Sequence, residues 1–173
     1  MELSKQAYMT LILVIAVYMD FKCYRINNKL IVIGTCIGSL HNFVNQGIYG
    51  LTCSLLGGIV PIGLLFFFYL SSVLGAGDIK LFTVIGTFGG ISFCIKSMLI
   101  AFIIGAIISL IKMVRYRIVI TRLQYFTEHI FRLIHEKKLL SYYIVEEKKE
   151  ECIIHFSLPI CLATIILCIL DYI

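Results

Sequence analysis

An all-α membrane protein of about six transmembrane helices, with a cytoplasmic amphipathic segment between helices 5 and 6, is the fold this sequence predicts. Three observations predict it. The 173 residues are 60% hydrophobic and only 14% charged, where soluble domains carry about 25% charged residues. The mean hydropathy is +0.99, and the apolar residues gather in long runs. Most of the 15 Lys and Arg residues fall in gaps that an alternating topology places on one side of a bilayer.

A hydrocarbon core of about 30 Å takes about 20 apolar residues per helix, fewer where protein shields the ends. The first run extends from about Ala7 to Met19, the second from Leu30 to Val44, and the third from Leu51 to Val73. Leu81 to Ile111 is broken only by Lys96 and small polar residues. It is too long for one span and short for two, so Gly89-Gly90 is read as a turn between a short fourth helix and a fifth. The last run is Cys152 to Leu170. The first run lacks the strong positive end and small-residue cleavage site of a signal peptide, and is read as a retained span. Residues 1–173 thus form a single polytopic membrane domain.

Charge sets the orientation. With the N-terminus outside, the inner segments hold Lys22, Arg25, Lys29, Lys80 and every base from Lys112 to Lys149, whereas the outer ones hold only Lys5 and Lys96. Both termini are then extracytoplasmic. Treating Leu81–Ile111 as one span would move the long basic segment outside, so the bias supports the turn. Within that segment Val119, Leu123, Phe126, Ile130 and Leu133 recur at steps of three and four. They suit an amphipathic helix on the inner membrane surface, or equally one packed on the protein's own loops. The net charge of +5 does not imply nucleic acid, because the bases lie in gaps between apolar runs. The seven cysteines form no CxxC pair and five lie within apolar runs. No disulfide framework, metal site or cofactor is expected.

Two acids stand apart. Asp20 closes the first run and Asp78, in "SSVLGAGDIKLF", opens the fourth, both on the inner side. Each has a bland explanation: Asp20 as a solvated charge, Asp78 as a helix N-cap, and Lys22 and Lys80 as anchors. Ionisable residues at membrane depth are nonetheless functional candidates by default. A cap needs neither Gly75 nor Gly77, while a strained loop that brings a carboxylate against a substrate backbone uses both. Paired carboxylates cannot both ionise easily. One takes a proton from water while the other polarises a carbonyl, which is peptide hydrolysis without a metal or nucleophilic side chain. No HExxH or GxSxG occurs. His41 falls on the outer side, and His129, His135 and His155 read as interfacial residues.

These motifs resemble the type IV prepilin peptidase family, the membrane aspartic peptidases with a GxGD motif. "GAGDIKLF" looks like the family's second aspartate motif, including the lysine two residues after Asp78. "DFKCYRINN" is similar to the first, an Asp followed after five residues by Ile-Pro-Asn, with Ile26 and Asn28 matching and Asn27 in place of proline. "HFSLPICLAT" is similar to the family's last helix entry and makes Pro159 structural. The resemblance implies an aspartic-type endopeptidase of the cell membrane, with its active site facing the cytoplasm. It would remove the basic leader of prepilin-like or preflagellin-like proteins just before their hydrophobic N-terminal helix. Asp20 and Asp78 would be catalytic, with Gly75, Gly77, Lys80, Ile26 and Asn28 in support. It also implies the short form, without the methyltransferase region. Presenilin-like proteases share GxGD but carry a PAL signature that "SLPICL" lacks. A non-enzymatic membrane subunit, or a small transporter using both acids as ion ligands, is the alternative from a different class.

Overall fold

The computed structural model describes residues 3–71, 74–115 and 155–171. Four helices make up these residues: α1 (Leu3–Cys23), α2 (Asn28–Leu70), α3 (Ala76–Arg115) and α4 (Ser157–Leu170). No strand occurs among them. Contacts divide the chain into two compact units, Met1–Gly105 with His155–Ile173, and Ala106–Ile154. Both acids belong to the first. The amphipathic segment of residues 119–133, together with His129, His135 and Cys152, lies outside the described residues.

Three helices, Leu3–Cys23, Asn28–Leu70 and Ala76–Lys112, are long and apolar enough to cross a membrane, and α4 is a shorter apolar helix. A straight helix of 43 residues would run about 65 Å, twice the hydrocarbon thickness. The second helix is not straight. Gly47 breaks it with φ 62 and ψ −144, a conformation that costs glycine little and other residues much. Asn42 Nδ2 then reaches Ser54 Oγ at 2.6 Å, although 12 residues of continuous helix would separate them by about 18 Å. The third helix does the same at Gly90, φ 76 and ψ −176. There Cys94 Sγ reaches Phe82 O at 3.5 Å across the break. Each long helix is therefore a hairpin of two antiparallel arms.

The sequence placed one of these breaks at Gly89-Gly90, and the structure puts it at Gly90. Runs two and three are the arms of α2, and runs four and five those of α3. A single hinge residue leaves no loop between arms, so the pairs appear as single helices. The last run is shorter as a helix than as an apolar stretch, because α4 begins only at Ser157. Pro159 sits in its first turn, where a missing N–H is harmless.

The first arm of α3 is the core. Leu81, Phe82, Val84, Ile85 and Phe88 are all fully buried, so nearly every face of this arm is covered. Met9, Leu13 and Ala16 of α1 and Ile160 and Ala163 of α4 are buried in the same apolar cluster. α1, α2 and the second arm of α3 expose large apolar side chains, among them Val14, Val32, Val44, Ile59, Phe67 and Leu99. Such a surface is a liability in water but suits hydrocarbon.

Buried polar groups pin the arms together. Asn42 Nδ2 also donates to Thr87 O at 2.9 Å, and Ser54 Oγ donates to the same carbonyl at 2.9 Å. Replacing Asn42 with Leu removes the shared donor from buried acceptors, which costs about 1–3 kcal/mol. The expected result is a lower unfolding midpoint for purified Asn42→Leu in detergent. An unchanged midpoint would show that the network is dispensable.

Candidate active site

Asp20 lies in the last turn of α1. Its backbone carbonyl accepts from Tyr24 N at 2.9 Å, and Tyr24 takes φ 51. Tyr24 thus ends the helix in the left-handed position usually given to glycine. The chain turns at once into α2, which Asn27 caps through its side chain on Lys29 N at 2.9 Å. Asn27 has φ −70 and ψ 128, a φ that proline would also impose. The departure from Ile-Pro-Asn therefore keeps the backbone and adds a cap.

Asp78 lies in the first turn of α3. Gly75 O accepts from Asp78 N at 3.1 Å. Asp78 is the third residue of α3, so the bland reading of it as the N-cap does not hold. The two glycines are present for a different reason than strain. Positive φ among described glycines occurs only at Gly47 and Gly90. A Cβ on Gly75 would sit 3.2 Å from Asp78 Oδ2, and one on Gly77 would sit 3.3 Å from Ile26 Cδ1. Close approach, not an unusual backbone, is what these positions provide.

The two motifs meet in space. Ile26 covers the bare backbone of Gly77, and Lys80 Nζ donates to Asn28 Oδ1 at 2.8 Å. Each contact joins the turn after Asp20 to the turn that carries Asp78. The Asp20 charge accordingly acts on Asp78. Both acids are partly exposed, so water can reach them. His41 is far from this end, hydrogen-bonded to Ser4 at 3.3 Å near the start of α1. Among the described residues no group of three or more His, Cys, Asp or Glu is placed to hold a metal ion.

Two partners were not legible in the motifs. Ser157 Oγ donates to Asp20 Oδ2 at 2.6 Å, and His155 Nδ1 lies 3.3 Å from the same oxygen. The sequence drew attention to "HFSLPICLAT" only for Pro159, and assigned His155 to the interface. No spacing rule connects a residue 137 positions away to the first acid.

Asp20 and Asp78 thus stand at helix ends whose motif turns meet, both half-buried at the edge of an apolar helical core. The chain belongs to the type IV leader peptidase family, which it matches over residues 7–110. The match includes both acids and ends before α4. No curated protein and no solved structure matches the chain. It is a leader-peptidase-like protease with several long apolar helices, and therefore a membrane protein.

Proposed function

We propose that this protein is an aspartic endopeptidase that removes the leader of type IV prepilin-like or preflagellin-like proteins at the cytoplasmic face of the cell membrane. The observation that carries the reading is the meeting of the two motif turns, through Lys80 on Asn28 and Ile26 on Gly77. It supports a shared site for Asp20 and Asp78 where the two turns meet. One carboxylate removes a proton from a water molecule. The other, protonated, donates to the scissile carbonyl as the tetrahedral intermediate forms, and the proton passes to the leaving amine as that intermediate collapses. Lys80 and Asn28 hold the motifs in register. The substrate is a basic leader followed by a hydrophobic helix, which lies against the exposed apolar helices with its junction at the membrane surface.

In this reading the hairpin arms, α1 and α4 make six spans, with both termini outside and both acids inside. Basic residues flanking the site, Lys22, Arg25, Lys29 and Lys80, support that orientation. Cysteine labelling of intact cells on a cysteine-free background tests it. A probe replacing exposed Gln46, beside the Gly47 hinge, should react in intact cells. A probe replacing exposed Arg25 should react only after permeabilisation. The opposite pattern would put the acids on the outer face. The activity itself is tested by co-expression with a prepilin-like protein, where leader removal appears as a gain in mobility. Mobility that stays the same with and without the enzyme, for substrates inserted in the membrane, would refute the reading.

A further inference from the structure

The first acid is held from a third helix. Ser157, the first residue of α4, is fully buried, and its hydroxyl donates to Asp20 Oδ2 at 2.6 Å. His155 Nδ1 faces the same oxygen at 3.3 Å. A carboxylate oxygen accepts only, so the nitrogen facing it carries the proton. The imidazole is itself fixed. Phe21 stacks on it with centroids 4.4 Å apart and planes 28° apart, and Tyr24 lies at 5.2 Å and 33°. Tyr24 is the one described non-glycine residue with positive φ. A bulky residue in that region stores strain, which persists where the surroundings over-determine it. Here that conformation brings the phenol ring onto His155.

Both contacts engage one oxygen. Oδ1 has no hydrogen-bond partner among the described residues. A carboxylate free to rotate about its Cβ–Cγ bond would exchange its two oxygens, and only one orientation suits a partner acid and a water held between them. Catalytic groups need their geometry fixed by supporting hydrogen bonds.

We infer that Ser157, seconded by the caged His155, is a positioning residue that locks Asp20 by Oδ2 and presents Oδ1 to the reacting water. The inference rests on the peptidase reading and assigns α4 a part in it. The matched family region ends before both residues. A hydrogen bond to a charged group that aligns the reacting atoms is worth about ten- to hundredfold in rate.

The test is steady-state leader cleavage by the full-length protein in liposomes, with a prepilin-type peptide as substrate. Ser157→Ala is expected to lose about ten- to hundredfold in kcat with KM within about twofold. Ser157→Thr, which keeps the hydroxyl, is expected to recover most of the loss. His155→Phe keeps the stack on Phe21 without the N–H, and is expected to lose about threefold in kcat at an unchanged unfolding midpoint. Wild-type kcat in both Ser157→Ala and His155→Phe would overturn the positioning role and leave the peptidase standing. Loss of kcat in Ser157→Ala together with a fallen unfolding midpoint and no recovery in Ser157→Thr would reduce the serine to a packing role and overturn it too. No cleavage by the wild type would remove the peptidase reading, and this inference with it.

Discussion

Replacing either Asp20 or Asp78 with asparagine is expected to reduce leader cleavage by a factor of about 10⁴ or more, while the protein stays folded in the membrane. The substitution is nearly isosteric and removes one titratable oxygen. An amide can neither take the proton from water nor supply one to the carbonyl, so half of the dyad fails and the other half has nothing to work with. Residues that act as a unit lose nearly everything on the first substitution. The structure gives the reason for expecting little damage to the fold. In Asp20→Asn the amide oxygen remains an acceptor for Ser157, which donates to the wild-type carboxylate at 2.6 Å. In Asp78→Asn the amide has the shape of the carboxylate and fits the same space beside Gly75. Initial rates, with protein amounts matched by immunoblot, measure the effect. Either variant at about one tenth of the wild-type rate or better would show that the two acids are not a catalytic pair.

The largest effect on folding is expected at Gly86 and Gly57, where the second arm of α2 crosses the first arm of α3. A Cβ on Gly57 would strike the carbonyl of Gly86, and a Cβ on Gly86 would strike the carbonyl of Gly57. Both obstacles are backbone, so no rotamer change relieves them. The arms must move apart, and the fully buried Leu81, Phe82 and Ile85 lose their neighbours. Overpacking of this kind costs about 1–3 kcal/mol and occasionally more, and Gly86→Leu belongs at the upper end because a whole isobutyl group enters. In membranes such small-residue contacts are a main source of helix association. The expected result is Gly86→Leu protein that aggregates on extraction or unfolds well below the wild type. Gly63 is the control: it lies on the same arm of α2 with nothing within 4 Å of its would-be Cβ. Gly63→Ala should be neutral, or more stable by up to about 1 kcal/mol. Equal behaviour of the two variants would mean that the close approach does not hold the arms together.

Much of this arrangement was legible in the chain because it is written in local terms. The turn at Gly90 follows from an apolar stretch too long for one span. Ile26, Asn28, Gly77 and Lys80 stand in the two stretches that resemble the family's motifs, and the structure brings them together in two contacts. What local terms do not carry is which helix lies beside which. Gly75 and Gly77 suggested a strained loop, yet both have ordinary backbone and serve as clearance for Asp78 and Ile26. The difference depends on a neighbour far away in sequence, Ile26 against Gly77. Ser157 and His155 were invisible as site residues for the same reason. An unremarkable serine acquires a role only when α4 packs beside α1, as Gln6 Nε2 on Cys168 O at 3.4 Å shows it does at the other end.

Cleavage by purified protein is the most direct test of the two-acid site. Wild type, Asp20→Asn and Asp78→Asn, each reconstituted alone in liposomes, are given a synthetic peptide with a basic leader and a hydrophobic segment, and the products are weighed by mass spectrometry. The expected result is a single cut at the junction by the wild type, unaffected by a metal chelator, and no product from either variant. A wild type that leaves the peptide intact, a cut that the chelator abolishes, or product from an Asn variant at near the wild-type rate would contradict an aspartic leader peptidase built on Asp20 and Asp78.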